Sequence, residues 1–258
     1  MSSTNRGGQR SDADNYPTPA WPVRRLLEKL PLPGGPWLEP GGGAGHIIRA
    51  VNAVRSDVTW WTAELREECR EPLIEAVGSP ERVVIGDYLV DPPPVFPGVS
   101  RFKVAIGNPP FGLAMAFIEQ ALAQADIVAM LLRLNFMGSE LRWDWMRHYP
   151  ADLYVLPNRP SFRGYGSDSI EYAWYVWEQG KKERTFGLHR MLDITPLDER
   201  NAEKPPRMAP VPKKKFKGKL IGEVPEGGGV LDETLVVEVD AFAETAAAEF
   251  AETIEDPT

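Results

Sequence analysis

Apolar positions along the chain change period in a regular alternation. Val23, Leu26, Leu27 and Leu30 recur at helical spacing from Trp21 to Leu30, and the run stops at the Pro-Gly cluster Pro31 to Pro36. Trp37-Leu38 then reads as a short strand entering the glycine-rich turn Gly41 to Gly45. Ile47, Ile48, Val51 and Val54 resume a helical period. The pattern repeats with strands at Val58–Thr62, Val83–Ile85 and Phe102–Ile106, a helix around Glu67–Val77 and a Pro-rich loop through Pro97. Further on, helices are predicted at Leu113–Ala125 and Ser139–His148, and strands at Ile127–Leu132, Leu153–Leu156 and Tyr172–Trp177. Strands interleaved with helices predict a doubly wound α/β fold whose mostly parallel sheet is covered on both faces.

The pattern ends near Gly180. Residues 181–219 hold 12 basic and 5 acidic side chains, and the last 39 residues hold 11 acidic side chains and no Lys or Arg. Such blocks are typical of interaction tails, so residues 181–258 are expected to be largely disordered, with a short hairpin through Leu235–Val239 as the reservation and a protein partner as one use. Residues 1–13 are expected to form a flexible lead-in, leaving 14–180 as the folded domain. A net charge of −8 argues against holding nucleic acid by bulk electrostatics, though a local basic patch stays open. Cys69 is the sole cysteine, and His46, His148 and His189 are scattered, so neither a disulfide nor a metal site is expected. Without an apolar run of roughly 20 residues, a soluble cytoplasmic protein with no membrane contact is expected.

Four loops follow successive predicted strands, at the sheet edge where open α/β folds bind ligands. Glu39 precedes the turn containing Gly41, Gly43 and Gly45. Its carboxylate suits an ammonium and would repel a pyrophosphate. Glu64 follows the second strand, from which it can reach ribose hydroxyls, and Asp87 and Tyr88 follow the third, from which they can reach an adenine amine and ring. Taken singly, a solvated helix-start glutamate explains Glu64 as well. The fourth strand runs into Asn108-Pro109-Pro110-Phe111. Two prolines stiffen the backbone, so the Asn108 side chain and the Pro109 carbonyl form a fixed pair of acceptors for the two hydrogens of a planar amine. Phe111 would stack on the ring bearing that amine.

These residues resemble the class I, Rossmann-like S-adenosylmethionine-dependent amino-methyltransferases, in particular the DNA N6-adenine methyltransferases of phages and prophages. The resemblance covers roughly residues 14–180. It implies a seven-stranded sheet with the last strand antiparallel, a cofactor turn at Glu39 to Gly45 and a catalytic loop at Asn108 to Phe111. Asp14, Tyr16, Thr18 and Pro19 match an amino-terminal element that closes over the methionine part of the cofactor. The loop Leu156 to Phe162 is similar to the family's target-base loop, with Arg159 and Phe162 as substrate contacts; a plain surface loop fits that stretch equally well. The implied activity is that of an adenine-specific DNA methyltransferase, with S-adenosylmethionine as cofactor and DNA as partner. An RNA base or a protein glutamine amide as acceptor, a non-catalytic binding protein and a nicotinamide oxidoreductase remain open alternatives. The tryptophans are expected in the core rather than on a stacking platform, and Lys213 to Lys215 is expected to be a solvated run.

Overall fold

Pro19 fixes the backbone ahead of the first helix, α1 (Ala20–Lys29), which buries Trp21, Val23 and Leu26 and stops before Pro31. A computed structural model of the chain describes residues 17–162, 170–178 and 189–202. Within these, the strands are β1 (Gly35–Pro40), β2 (Val58–Glu64), β3 (Val83–Ile85), β4 (Phe102–Gly107), β5 (Ala125–Arg133), β6 (Asp152–Val155), β7 (Tyr172–Glu178) and β8 (His189–Met191). The other helices are α2 (His46–Asn52), α3 (Arg70–Val77), α4 (Ala114–Gln124), α5 (Glu140–His148) and α6 (Leu197–Ala202). Asp14, Tyr16, Lys213 to Lys215 and the expected hairpin at Leu235–Val239 lie outside the described residues.

All eight strands join one sheet in the order β3-β2-β1-β4-β5-β7-β6-β8. β7 runs antiparallel to both neighbours, and every other pairing is parallel. Apart from β8, the sheet has the seven strands the resemblance implies, with the last expected strand reversed, in a doubly wound arrangement. Strand periodicity divides the core in two. Trp37, Trp60, Leu131 and Trp174 face α1, α2 and α3, while Leu38, Trp61, Leu132 and Tyr175 face the side covered by α4. The indole of Trp174 donates to the Pro22 carbonyl at 2.9 Å, tying β7 to α1. Most tryptophans are buried as expected. Trp145 is half-buried, and Trp143 is 59% exposed, with the Arg147 guanidinium 4.5 Å from its ring.

The boundary expected at 180 needs correction. β8 adds an eighth strand parallel to β6, and residues 192–202 continue along α1. Glu199 bridges Arg24 at 2.6 Å and Arg25 at 2.9 Å, Lys29 pairs with Asp193 at 2.9 Å, and Asn158 Oδ1 accepts from the Thr195 amide at 2.8 Å. Leu192 and Thr195 are buried. This segment has one apolar anchor and binds otherwise through backbone pairing and ion pairs, so hydrophobic periodicity gives no sign of it.

Candidate active site

Strand parity gathers the chemistry on one side of the carboxyl edge. Glu39 shares its face with Trp37, Glu64 with Trp60, Arg133 with Leu131, and Asn108 lies two residues beyond Ile106 on that same face.

The Gly41–Gly45 turn is tied down from within. Gly41 and Gly42 donate their amides to the Ala63 carbonyl at 2.8 and 3.2 Å, Gly45 donates to Gly42 at 2.8 Å, and Gly43 donates to Glu64 Oε2 at 2.7 Å. Thr62 Oγ1 donates to the Glu39 carbonyl at 2.8 Å, and a Cβ on Gly42 would lie 2.2 Å from that hydroxyl. Only glycine fits there. Gly43 adopts φ 55° and Gly45 φ 77°, the left-handed region that favours glycine. A pyrophosphate would need these amides free, but they are committed to the protein.

Glu39 is 3% exposed, and its Oε2 has no hydrogen-bond partner. Burial pushes its carboxyl well above the usual range; the Ile48 amide donates to it and opposes the shift, and the neighbouring Glu64 charge reinforces it. Unmet buried acceptors are rare and costly, so this oxygen is suited to a donor from outside the chain. Glu64 differs. Its Oε1 accepts from the Arg66 amide at 3.1 Å and the Arg66 Nε at 2.8 Å, in addition to Gly43 on Oε2. A carboxylate offers about four acceptor positions, so about one remains for a ligand.

The residues of the expected catalytic loop meet those of the expected amino-terminal element. Asn108 Nδ2 donates to Thr18 Oγ1 at 3.1 Å, and Thr18 and Pro19 are both buried. Among the described residues, neither Asn108 Oδ1 nor the Pro109 carbonyl accepts a hydrogen bond. The Pro110 carbonyl accepts from Leu113, which turns the chain into α4. Phe111 is half-buried with its ring centroid 6.0 Å from that of Tyr172, and the Arg133 guanidinium carbon lies 4.1 Å from the Phe111 centroid.

Three expected contacts look different in the fold. Tyr88 is 3% exposed, donates to Gln124 Oε1 at 2.7 Å and packs on Phe117 at 5.2 Å. Burial against α4 makes it a core residue instead of an adenine platform. Phe162 is likewise buried, its ring edge-on to Tyr172 at 5.2 Å, so it anchors its loop. Arg159 is exposed and paired with Glu171 at 2.5 Å. Asp87 is exposed and accepts the Leu89 amide at 2.9 Å, leaving its other oxygen for a ligand. Arg133 and Arg66 were not singled out from the sequence, because a basic residue at a strand end has no distinctive spacing. A cleft of about 310 Å³, lined by Lys29, Asp152, Glu178 and Arg190 among others, lies at the opposite edge, where β5 and β6 begin. It contains none of the residues above, and ligands of open α/β sheets bind at the carboxyl edge.

No protein family and no curated protein matches the sequence. Solved structures do resemble it. A predicted O-methyltransferase of Agrobacterium tumefaciens is 18% identical with a TM-score of 0.49, covering 72% of this chain and 96% of its own. The protein 1320 of Thermoplasma acidophilum is 15% identical with a TM-score of 0.48, over 66% and 93%. The 23S rRNA methyltransferase ErmE is 16% identical with a TM-score of 0.44, over 62% and 67%. At these levels the fold rests on the chain's own strand order and register.

Proposed function

We propose that this chain is an S-adenosylmethionine-dependent methyltransferase acting on an exocyclic amino nitrogen, with adenine N6 in DNA as the acceptor. The observation that carries the reading is the Asn108 amide, held through Nδ2 by Thr18, with neither its Oδ1 nor the carbonyl of the next residue, Pro109, accepting a hydrogen bond among the described residues. Two rigid acceptors next to each other match the two hydrogens of a planar amine. They strengthen as the nitrogen becomes tetrahedral and positive, so they favour the transition state over the ground state. Adenine in DNA is the acceptor that the Asn-Pro-Pro-Phe sequence suggests, with Phe111 as its stacking ring.

S-adenosylmethionine, when bound, supplies an electrophilic methyl on sulfur. The residues present suit it. Glu39 Oε2 is a buried acceptor without a donor and fits the ammonium of an amino-acid moiety. Glu64 retains room for a ribose hydroxyl, and Asp87 for an adenine amine. A nicotinamide dinucleotide fits poorly, because the Gly41, Gly42, Gly43 and Gly45 amides are engaged within the protein and the Glu39 carboxyl that precedes the turn would oppose a pyrophosphate's charge. The protein's own contribution is orientation of the amine and exclusion of competing partners, worth several kcal/mol of barrier when the geometry is rigid.

Single-turnover methylation with labelled S-adenosylmethionine and separate DNA, RNA and protein pools tests the reading. Transfer to adenine in DNA is expected. Asn108→Ala should lower that rate about 10²–10³-fold, the usual effect of losing one preorganised acceptor, with cofactor affinity little changed. Transfer only to RNA or to a protein amide overturns the substrate, and wild-type rates in the variant overturn the role of Asn108.

A further inference from the structure

Arg133 ends β5 directly opposite Tyr172, the first residue of β7, at the carboxyl edge that holds Asn108. Its guanidinium carbon lies 4.1 Å from the Phe111 centroid, and its Nε donates to Tyr172 Oη across a long 3.4 Å. Among the described residues no carboxylate pairs with it. An aromatic face covered at this distance is closed to a base, because a stacked ring needs the same space. A guanidinium is planar and can stand on that face in place of a base, yet it also carries a forked donor set shaped for phosphate.

We propose that Arg133 is a positioning residue that covers Phe111 in the free protein and exchanges that face for a phosphate flanking the acceptor nucleotide. This rests on the reading of Phe111 as the acceptor's stacking ring. A base entering the loop displaces the guanidinium from the ring, and the displaced cation needs an anion. A nucleotide within a strand brings one with it; a glutamine amide in a protein brings none. The whole chain carries a net charge of −8, so bulk attraction does not hold a polyanion, and a local cation at the acceptor does. The acceptor class that follows is a nucleotide in a polynucleotide strand.

The experiment compares the full-length wild type, Arg133→Gln and Arg133→Lys on an adenine-containing oligonucleotide over about 50 to about 200 mM salt. Melting and S-adenosylmethionine binding are measured for each. Arg133→Gln is expected to lower kcat/KM about tenfold at low salt, as for losing one charge-assisted contact. It should also flatten the slope of log kcat/KM against log salt by about 1. Arg133→Lys keeps the slope, since the charge remains. An independent arm gives the wild type an oligonucleotide with neutral methylphosphonate linkages beside the adenine. The same loss is expected there, and this arm decides the matter if the glutamine variant fails to fold. A wild type active on DNA with no effect from the neutral linkages, or with an unchanged slope in folded Arg133→Gln, overturns the role of Arg133 alone. A wild type that methylates no nucleic acid overturns both this role and the reading of the site.

Discussion

Asn108 and Thr18 meet across 90 residues of sequence, the Asn108 amide nitrogen donating to Thr18 Oγ1 at 3.1 Å. The bond fixes which end of the amide faces the open edge. Without it, the side chain is free to turn its Nδ2 toward the acceptor, where a donor repels the amine hydrogens. Thr18→Val keeps the shape and removes the hydroxyl. We expect kcat to fall about five- to tenfold, in line with one hydrogen bond of about 1 kcal/mol. Cofactor affinity should change less than kcat. A loss confined to cofactor affinity would assign Thr18 to the cofactor alone.

On the proposed reading, Glu39 makes cofactor binding depend on pH. Burial raises its carboxyl in the free protein, and an ammonium against Oε2 favours the carboxylate, so binding releases a proton. Affinity should therefore climb as pH rises from the carboxyl's value in the complex toward its raised value in the free protein, and level off above that. Calorimetry in buffers of different ionisation enthalpy measures the released proton.

The same group lowers stability at high pH. Its folded-state value lies above its unfolded one, so the folded chain holds the proton more tightly. Stability is highest below the unfolded value and falls as pH rises toward the folded one. Glu39→Gln removes that loss. Its melting temperature at pH about 8 should exceed that of the wild type without cofactor, while S-adenosylmethionine binding is lost. A variant that melts lower and binds normally would place Glu39 outside the cofactor site.

Gly42 tests the turn. A Cβ there lies 2.2 Å from Thr62 Oγ1 and 3.1 Å from Leu73 Cδ2, both in the packed interior. Gly42→Ala must displace the hydroxyl that holds the Glu39 carbonyl. A loss of about 1–3 kcal/mol is expected from overpacking, read by denaturant unfolding, together with weaker cofactor binding. Unchanged values for both would mean that the turn adjusts freely.

Ending the chain after residue 180 removes β8 and the segment bound to α1. Loss of the buried Leu192 and the Asn158–Thr195 bond should cost about 2–4 kcal/mol, taking burial and one hydrogen bond together. The ion pairs of Arg24, Arg25 and Lys29 are partly exposed and add little. Ending after residue 202 keeps these contacts. Melting of the two truncations separates them, and equal stability would show that the segment does not brace the domain.

By itself the sequence determined the alternation of strands and helices, the glycine turn after β1, and the order in which Glu39, Glu64, Asp87 and Asn108 reach the carboxyl edge. These are local or periodic properties: side-chain parity, backbone limits of Gly and Pro, and apolar runs that must be buried. Tertiary structure decided which of those residues are still open to a ligand. Tyr88 and Phe162 each follow a strand and look suited to stacking, yet α4 and Tyr172 claim their surfaces, because burial depends on what arrives from elsewhere in the chain. β8 came from backbone pairing with an edge that no composition reveals. The Thr18–Asn108 bond and the Arg133–Phe111 stack likewise join residues remote in sequence, and only folding sets the distances that give them chemical meaning.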